Sequence, residues 1–137
     1  MATNRLLKRP LSYWPLIILR ALALFLIPLS AFGATDTYVC EYPTYSDKDG
    51  SHRRTDQFTL TFVVDRAKGS GYIVGNQGSA KVQIIPGLDR LAFIEVTDTG
   101  NVMTTTILSD GESVHSRNTV IIDHFIASQS YGRCVHK

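Results

Sequence analysis

The sequence predicts an all-β fold, an eight-stranded antiparallel meander forming a small barrel or a sandwich, with one disulfide joining its ends. After position 33, short runs alternate between apolar and polar residues, and turn-forming Gly, Asn and Asp separate these runs. The only two cysteines lie near the two ends of this part of the chain. Such alternation is typical of half-buried strands, and 137 residues suffice for one such domain after a removable segment.

The first 33 residues have the pattern of a secretory signal peptide. Three basic residues lie near the start, an apolar run follows over 21–29, and the small residues Ala31 and Gly33 precede the predicted cleavage point. This arrangement predicts a signal peptide over 1–33 and a single all-β domain over 34–137. We therefore expect a periplasmic or secreted protein with no membrane association after cleavage.

The apolar part of this leader leaves an uncleaved membrane anchor as the alternative. Residues 11–32 are enough to span a bilayer, but Arg20 would lie near the middle of the span, where a charge is costly.

The charge balance of the rest of the chain excludes a function class. Four of the 14 Lys and Arg residues lie in the leader, so the remainder holds 10 basic and 12 acidic residues. Nucleic-acid binding through a basic surface is therefore not expected.

The cysteine positions predict a disulfide that ties the first strand to the last. Cys40 lies just after the leader and Cys134 lies three residues from the end. An exported chain meets an oxidising compartment, and neither cysteine belongs to a C-x-x-C motif. The first and last strands of a barrel are neighbours, so this pairing favours a closed barrel over an open sheet.

Alternation and turn residues define the eight predicted strands in order. The clearest alternation places Phe58, Leu60, Phe62 and Val64 on one face of a single strand. The later strands follow glycine-containing turns, of which Asp110-Gly111 is the strongest two-residue hairpin signal. The predicted strands cover residues 37–42, 57–64, 71–74, 80–85, 91–97, 102–108, 113–119 and 130–135.

Two segments lack a clear strand pattern. Residues 43–56 are polar and do not alternate, so they are predicted to form the longest loop, where function often resides. Residues 120–127 are apolar but irregular, which leaves a bulge, a short helical turn across a barrel mouth, or part of a strand.

The turn at Asp110-Gly111 also predicts which residues are neighbours. If these two residues alone form the turn, Thr106 pairs with His115 and Thr104 pairs with Arg117. The turn at Gly100-Asn101, treated in the same way, pairs Glu95 with Thr106. A slip of one residue would exchange the two faces of the sheet.

This register places polar side chains together on one face. The predicted core face carries Ala92, Ile94, Val96, Met103, Ile107 and Val114. The opposite face carries the candidate binding residues Glu95, Thr104, Thr106, His115 and Arg117. A carboxylate, hydroxyls, an imidazole and a guanidinium together can recognise an anion or a polar peptide. The alternative is an ordinary solvent-facing sheet surface, which is also polar.

Sequence motifs for catalysis and cofactors are missing. The four histidines form neither H-x-x-x-H nor H-E-x-x-H, and no G-x-S-x-G or nucleotide-binding glycine motif occurs. We therefore expect no metal and no cofactor. A hydrolase triad assembled from distant residues stays open as an alternative, because triads are defined in space.

Three runs resemble segments of small exported bacterial β-proteins of unassigned activity: Thr104-Thr105-Thr106-Ile107, Val114-His115-Ser116-Arg117 and Ser128-Gln129-Ser130-Tyr131-Gly132-Arg133-Cys134. This resemblance implies a β-protein of the cell envelope. In size, export and disulfide the chain is also similar to periplasmic inhibitors of C-type lysozyme, which are eight-stranded barrels carrying S-G-x-x-Y or S-G-x-x-K. Here Ser70-Gly71-Tyr72-Ile73 is followed by Val74, which departs from that motif at its last position.

These observations together predict an exported, non-catalytic binding protein of the bacterial envelope that recognises a protein partner or a small polar ligand. A pocket inside the barrel would require small or polar residues there, whereas an inhibitor would act through a protruding loop. The alternatives are a lysozyme-inhibitor-like protein, a small hydrolase with a spatial triad, and a structural envelope protein without a pocket.

Overall fold

The computed structural model describes residues 35–137, and all regular structure in this range is β. The predicted signal peptide over 1–33 lies outside the described residues. No helix within 35–137 has the length and apolar character needed to cross a membrane. The nine strands are β1 (Thr35–Asp47), β2 (Gly50–Arg53), β3 (Thr59–Asp65), β4 (Ser70–Gly75), β5 (Gly78–Pro86), β6 (Arg90–Val96), β7 (Val102–Leu108), β8 (Glu112–Ile121) and β9 (His124–His136).

Eight of these strands form a closed antiparallel barrel. From β3 to β9 each strand pairs with the next, and β1 pairs with both β3 and β9. The pairing of β1 with β9 closes the sheet. The predicted all-β meander is therefore confirmed, and it forms a barrel rather than a sandwich. The ninth strand, β2, pairs with β1 alone.

The disulfide lies in the seam between the first and last strands. Cys40 and Cys134 are bonded to each other and lie directly opposite in the register of β1 and β9. Both are buried, at 0% and 8% exposure. The predicted end-to-end disulfide is therefore confirmed, and it covalently fixes the contact that closes the barrel.

The predicted loop over 43–56 is wrong, because β1 continues to Asp47 and turns back into β2. Polar cross-strand pairs hold this hairpin together, which explains why it lacks hydrophobic alternation. The rings of Tyr45 and His52 stack with centroids 4.9 Å apart, and the Ser46 and Ser51 hydroxyls hydrogen-bond at 2.8 Å. The β2 hairpin continues the barrel wall on the same edge of β1 as β3.

Residues 120–127, whose pattern is irregular, form the end of a long hairpin. Of the three predicted possibilities, the segment is therefore part of a strand. Strands β8 and β9 continue to a two-residue turn at Ile122-Asp123, so the last strand begins at His124. The tip of this hairpin carries exposed apolar side chains; we call it the apolar tip. It comprises Val120, Ile121, Ile122, Phe125 and Ile126.

The register predicted from the two turns is wrong, because both turns contain three residues. The Gly111 N–H donates to the Leu108 carbonyl at 3.0 Å, and Gly111 has a φ of 89°. The Gly100 N–H donates to the Thr97 carbonyl at 2.9 Å, with a φ of 82°. In each turn the glycine supplies the positive φ of a bulged three-residue connection.

The extra residue in the Asp110-Gly111 turn shifts the strand partners by one position, whereas the other turn lies at residues 98–100 and shifts them by three. Thr105, rather than Thr106, lies opposite His115, and Met103 lies opposite both Arg117 and Glu95. The register of paired strands decides which side chains point into the barrel. The two-residue turns therefore assigned the faces of β6, β7 and β8 wrongly relative to one another.

The barrel interior is apolar mainly along β1 and β3–β6. The predicted alternation of β3 is confirmed, since Leu60, Phe62 and Val64 are buried there. Phe62 stacks on Phe93 with ring centroids 4.3 Å apart. The predicted core face of β6–β8 is wrong apart from Met103 and Ile107, because Phe93 points inward while Val96 is 63% exposed.

Candidate functional site

Strand β8 contributes a polar wall to the barrel interior. Ser113, His115 and Thr119 alternate along this strand and are buried, and Arg117 between them is half-buried. The prediction that His115 lies on the solvent face is wrong, since only 3% of it is exposed. Pleating directs alternate residues to the same side, so one turn residue more or less decides between interior and solvent.

The five predicted binding residues divide between the two faces of the sheet. Glu95, His115 and Arg117 line one interior cavity. Thr104 is exposed and Thr106 is half-buried, and both alternate with the buried Thr105, so they face outward. The prediction that all five share a face is therefore wrong, although three of them do lie together.

His115 is held as a neutral imidazole. Its Nδ1 lies 2.8 Å from the Thr105 hydroxyl, and its ring packs near those of Tyr42 and Phe58 at 6.0 and 5.8 Å. Burial, together with the positive charges of Arg117 and Arg54, lowers the pKa of His115 to about 4. The hydroxyl bonded to it belongs to a threonine, and no carboxylate or serine side chain within 35–137 hydrogen-bonds to this imidazole.

Two further buried hydroxyls extend the polar interior. The Tyr42 and Ser113 hydroxyls hydrogen-bond at 2.9 Å, and burial raises the pKa of Tyr42 to about 12. Ser130 on β9 is fully buried and lies opposite His115 in the register. Small polar side chains from β7, β8 and β9 therefore lie on the same side of the sheet as the imidazole.

Arg54 is a site residue that the sequence analysis did not single out. Its guanidinium donates to the Ser130 hydroxyl at 3.1 Å and lies over the rings of Tyr45 and Phe58, 4.8 and 4.4 Å from their centroids. Cation–π contacts of this kind restrict and stabilise a guanidinium. The basic pair Arg53-Arg54 was visible in the sequence, but nothing there shows that only the second arginine turns inward.

Arg54, His115 and Arg117 line a cavity of about 440 Å³ at the end of the barrel that holds the β4–β5 turn. We call it the mouth cavity. Leu60 and Ile73 belong both to the hydrophobic core and to the lining, so the cavity lies directly on the core. Its charged and titratable lining residues are Arg54, Asp56, Glu95, His115 and Arg117, and its main apolar ones are Phe58, Leu60, Ile73 and Met103.

The charges in the mouth cavity are incompletely paired. The Nε atoms of Arg54 and Arg117 are buried and have no hydrogen-bond partner among the described residues. Burial raises the pKa of Glu95, while the charge of Arg117 acts in the opposite direction. Within 35–137, no three His, Cys, Asp or Glu side chains converge on a point that could hold a metal ion. The arrangement is therefore suited to binding a polar ligand through unpaired donors.

The protein is expected to become less stable as the pH is lowered, because His115 is buried in its neutral form. Its pKa is about 4 in the folded state against 6.5 for an ordinary histidine, so the unfolded state binds more protons between these values. Its contribution is therefore complete above pH 6.5 and is lost progressively down to pH 4, by about 3 kcal/mol at most. Urea unfolding of wild type and His115→Gln between pH 7 and 4 measures this difference. Parallel pH profiles for the two proteins would contradict it, and His124→Gln, at an exposed histidine, serves as the control.

Comparison of the chain with protein-family models, with curated proteins and with solved structures finds no match.

Proposed function

We propose that this is an exported, non-catalytic binding protein of the bacterial envelope that holds a small polar ligand in the mouth cavity. The observation that carries the proposal is the polar wall of β8, where Ser113, His115 and Arg117 replace the apolar residues that normally fill a small barrel. Hydrogen bonds within the barrel satisfy Ser113 and His115, but the buried Nε of Arg117 has no partner among the described residues. An unsatisfied charged donor beside a cavity lowers stability, so its presence there favours a ligand.

The size of the cavity fits a small molecule. About 440 Å³ lies within the usual range for ligand pockets, which are lined by apolar surface and a few polar groups. The mouth cavity combines both kinds of group, with Leu60, Ile73 and Met103 as apolar surface and a larger share of polar lining than is usual. An eight-stranded barrel is also just wide enough to hold one small ligand.

The disulfide supports the export part of the proposal. A bond between Cys40 and Cys134 is stable in an oxidising compartment such as the periplasm, whereas cytoplasmic thiols are kept reduced. The basic and apolar leader over 1–33 has the pattern of a signal peptide that directs a chain to such a compartment. Periplasmic or secreted localisation is therefore part of the proposal.

Blocking the mouth cavity tests the proposed function. Protein recovered from the cell envelope is screened against small polar compounds by thermal shift, and the strongest binder is measured by calorimetry. Met103→Trp places a large ring in the cavity and is expected to weaken binding at least tenfold. Thr104→Trp, one residue along the same strand but exposed on the outer face, should bind as wild type does. Equal binding by both variants would contradict the site.

Recognition of a protein partner is the second candidate, and the apolar tip favours it. Ile122 is 87% exposed and Phe125 is 83% exposed, at the end of a hairpin. This is the protruding loop that a lysozyme-inhibitor-like function requires. The S-G-x-x run, by contrast, lies within β4, a strand of the barrel wall. Inhibition of a C-type lysozyme that is lost in Ile122→Asp and kept in Met103→Trp would favour this candidate over ligand binding.

A further inference from the structure

We propose that the ligand of the mouth cavity is a small organic oxyanion, bound through its carboxylate or phosphate group by Arg54 and Arg117 with its apolar body against Leu60, Ile73 and Met103. This inference rests on the proposed function, because it names the chemical class of the molecule that the cavity holds. It rests on the two arginines, on the neutral groups between them, and on the apolar half of the lining.

Arg117 carries a charge that the protein itself does not pair. No hydrogen bond or ion pair to its guanidinium is formed by any of residues 35–137, and its Nε is buried. Glu95 lines the same cavity but does not approach Arg117 closely enough for an ion pair. A buried donor without a partner costs free energy, and a charged one costs more. A bound oxyanion would satisfy these donors, which explains why the cost is tolerated.

Arg54 is a second guanidinium, and it is already fixed in position. Two aromatic rings and the Ser130 hydroxyl hold it, while its Nε is buried and unpartnered. Guanidinium groups match the geometry of carboxylates and phosphates, because parallel N–H donors meet two oxygens at once. A group held in place before binding loses little conformational entropy when the ligand arrives.

His115 places a neutral group where the two positive charges meet. Both Arg117 and Arg54 act on this imidazole electrostatically, so their fields overlap there. When Nδ1 accepts from the Thr105 hydroxyl, Nε2 carries the proton and is a further donor. A cationic imidazole would add a third charge, but the surroundings disfavour it. The site therefore offers two cations, neutral donors and one carboxylate, Glu95, whose pKa burial raises. Two cations against one such carboxylate suit a ligand with a single acidic group.

The remaining lining indicates what the rest of the ligand is. Leu60 and Ile73 are buried core residues that border the cavity, and Met103 is half-buried beside them. This surface accepts a short hydrocarbon body, and the Glu95 carboxylate in the same lining disfavours a second negative group. The acidic Asp56 at the exposed rim disfavours ligands with several negative charges. We therefore expect a monoacid of a few carbon atoms rather than a polyphosphate.

Four matched probes test the ligand class. Calorimetry with butyrate, propyl phosphate, butyramide and butylamine compares molecules of similar size that differ in charge. We expect at least one of the two anions to bind at least tenfold more tightly than the amide, and the amine not to bind. Preference for butyrate identifies a carboxylate, and preference for propyl phosphate identifies a phosphate. Equal binding of the anion and the amide would overturn the proposal.

Arginine variants locate the interaction. Arg117→Gln is expected to weaken anion binding at least tenfold and to leave amide binding unchanged, whereas Arg53→Gln removes the same charge from the exposed neighbour of Arg54 and should have no effect. Because Arg117 is unpaired, Arg117→Gln should fold and should raise the melting temperature of the ligand-free protein by about 4 °C. Anion binding that survives both Arg117→Gln and Arg54→Gln would overturn the proposal.

Different results would overturn the proposed function and the oxyanion inference. If a neutral compound from the screen binds and Met103→Trp abolishes its binding, while no anion is preferred, the proposed function stands and the oxyanion inference is overturned. If no compound binding depends on Met103, both are overturned.

Discussion

Gly132→Ala is expected to prevent the barrel from closing properly. A Cβ at this position would overlap the carbonyl oxygen of Glu41 and lie 2.9 Å from the Cα of Tyr42. Both obstacles are backbone atoms at the irregularity of β1 between Glu41 and Thr44, so no side chain can rotate away. Backbone would have to shift at the seam between β1 and β9, which we expect to cost about 4 kcal/mol or more.

Urea unfolding followed by circular dichroism measures this effect. Gly75→Ala is the matched control, because it adds the same methyl group to a strand residue whose nearest neighbour is the end of the Leu60 side chain, at 3.2 Å. The control should lose no more than about 1 kcal/mol, the range of modest overpacking. If Gly132→Ala is as stable as Gly75→Ala, the close approach of β1 and β9 at this point is not as described.

Removal of the disulfide is expected to have the second large effect. Cys40 and Cys134 are separated by 94 positions, and a bond that closes a loop of this size restricts the unfolded chain by about 4 to 5 kcal/mol in the chain-entropy model. Because the bond lies in the barrel seam, its loss also leaves β1 and β9 joined only by hydrogen bonds and packing. The paired Cys40→Ala, Cys134→Ala variant should therefore unfold at a much lower urea concentration.

A reductant provides the internal control for this prediction. Wild type treated with dithiothreitol should approach the stability of the double variant, and the double variant should not respond to dithiothreitol. Mass measurement of the purified wild type should show two hydrogen atoms fewer than the reduced chain. A double variant with the unfolding midpoint of oxidised wild type would show that the bond contributes little.

Features that depend on neighbouring residues in the sequence were predictable. The alternation of Phe58, Leu60, Phe62 and Val64 predicts which face of β3 enters the core, since pleating relates residues two positions apart. The positions of Cys40 and Cys134 predict barrel closure, because covalent geometry requires the two strands to meet. Both predictions depend on one strand or on one bond, so small errors elsewhere do not affect them.

Features that depend on the length of a turn were not predictable in the same way. Asp110-Gly111 is compatible with a two-residue turn and with a three-residue turn that includes Ser109, and the choice moves His115 from solvent to interior. The inward position of Arg54 depends on several conditions together. The β2 hairpin has to form from polar pairs before its last residues can turn over the barrel, and hydrophobic patterning does not report such pairs.

The seam also determines the expected order of folding. Hairpins such as β4–β5 and β7–β8 join residues close in sequence and can form early, whereas pairing β1 with β9 has to bring together the far ends of the domain. Before that step the sheet has two free edges, which are able to recruit strands from other molecules. Formation of the cystine ends this interval, so newly synthesised molecules that are slow to oxidise should be the ones that aggregate.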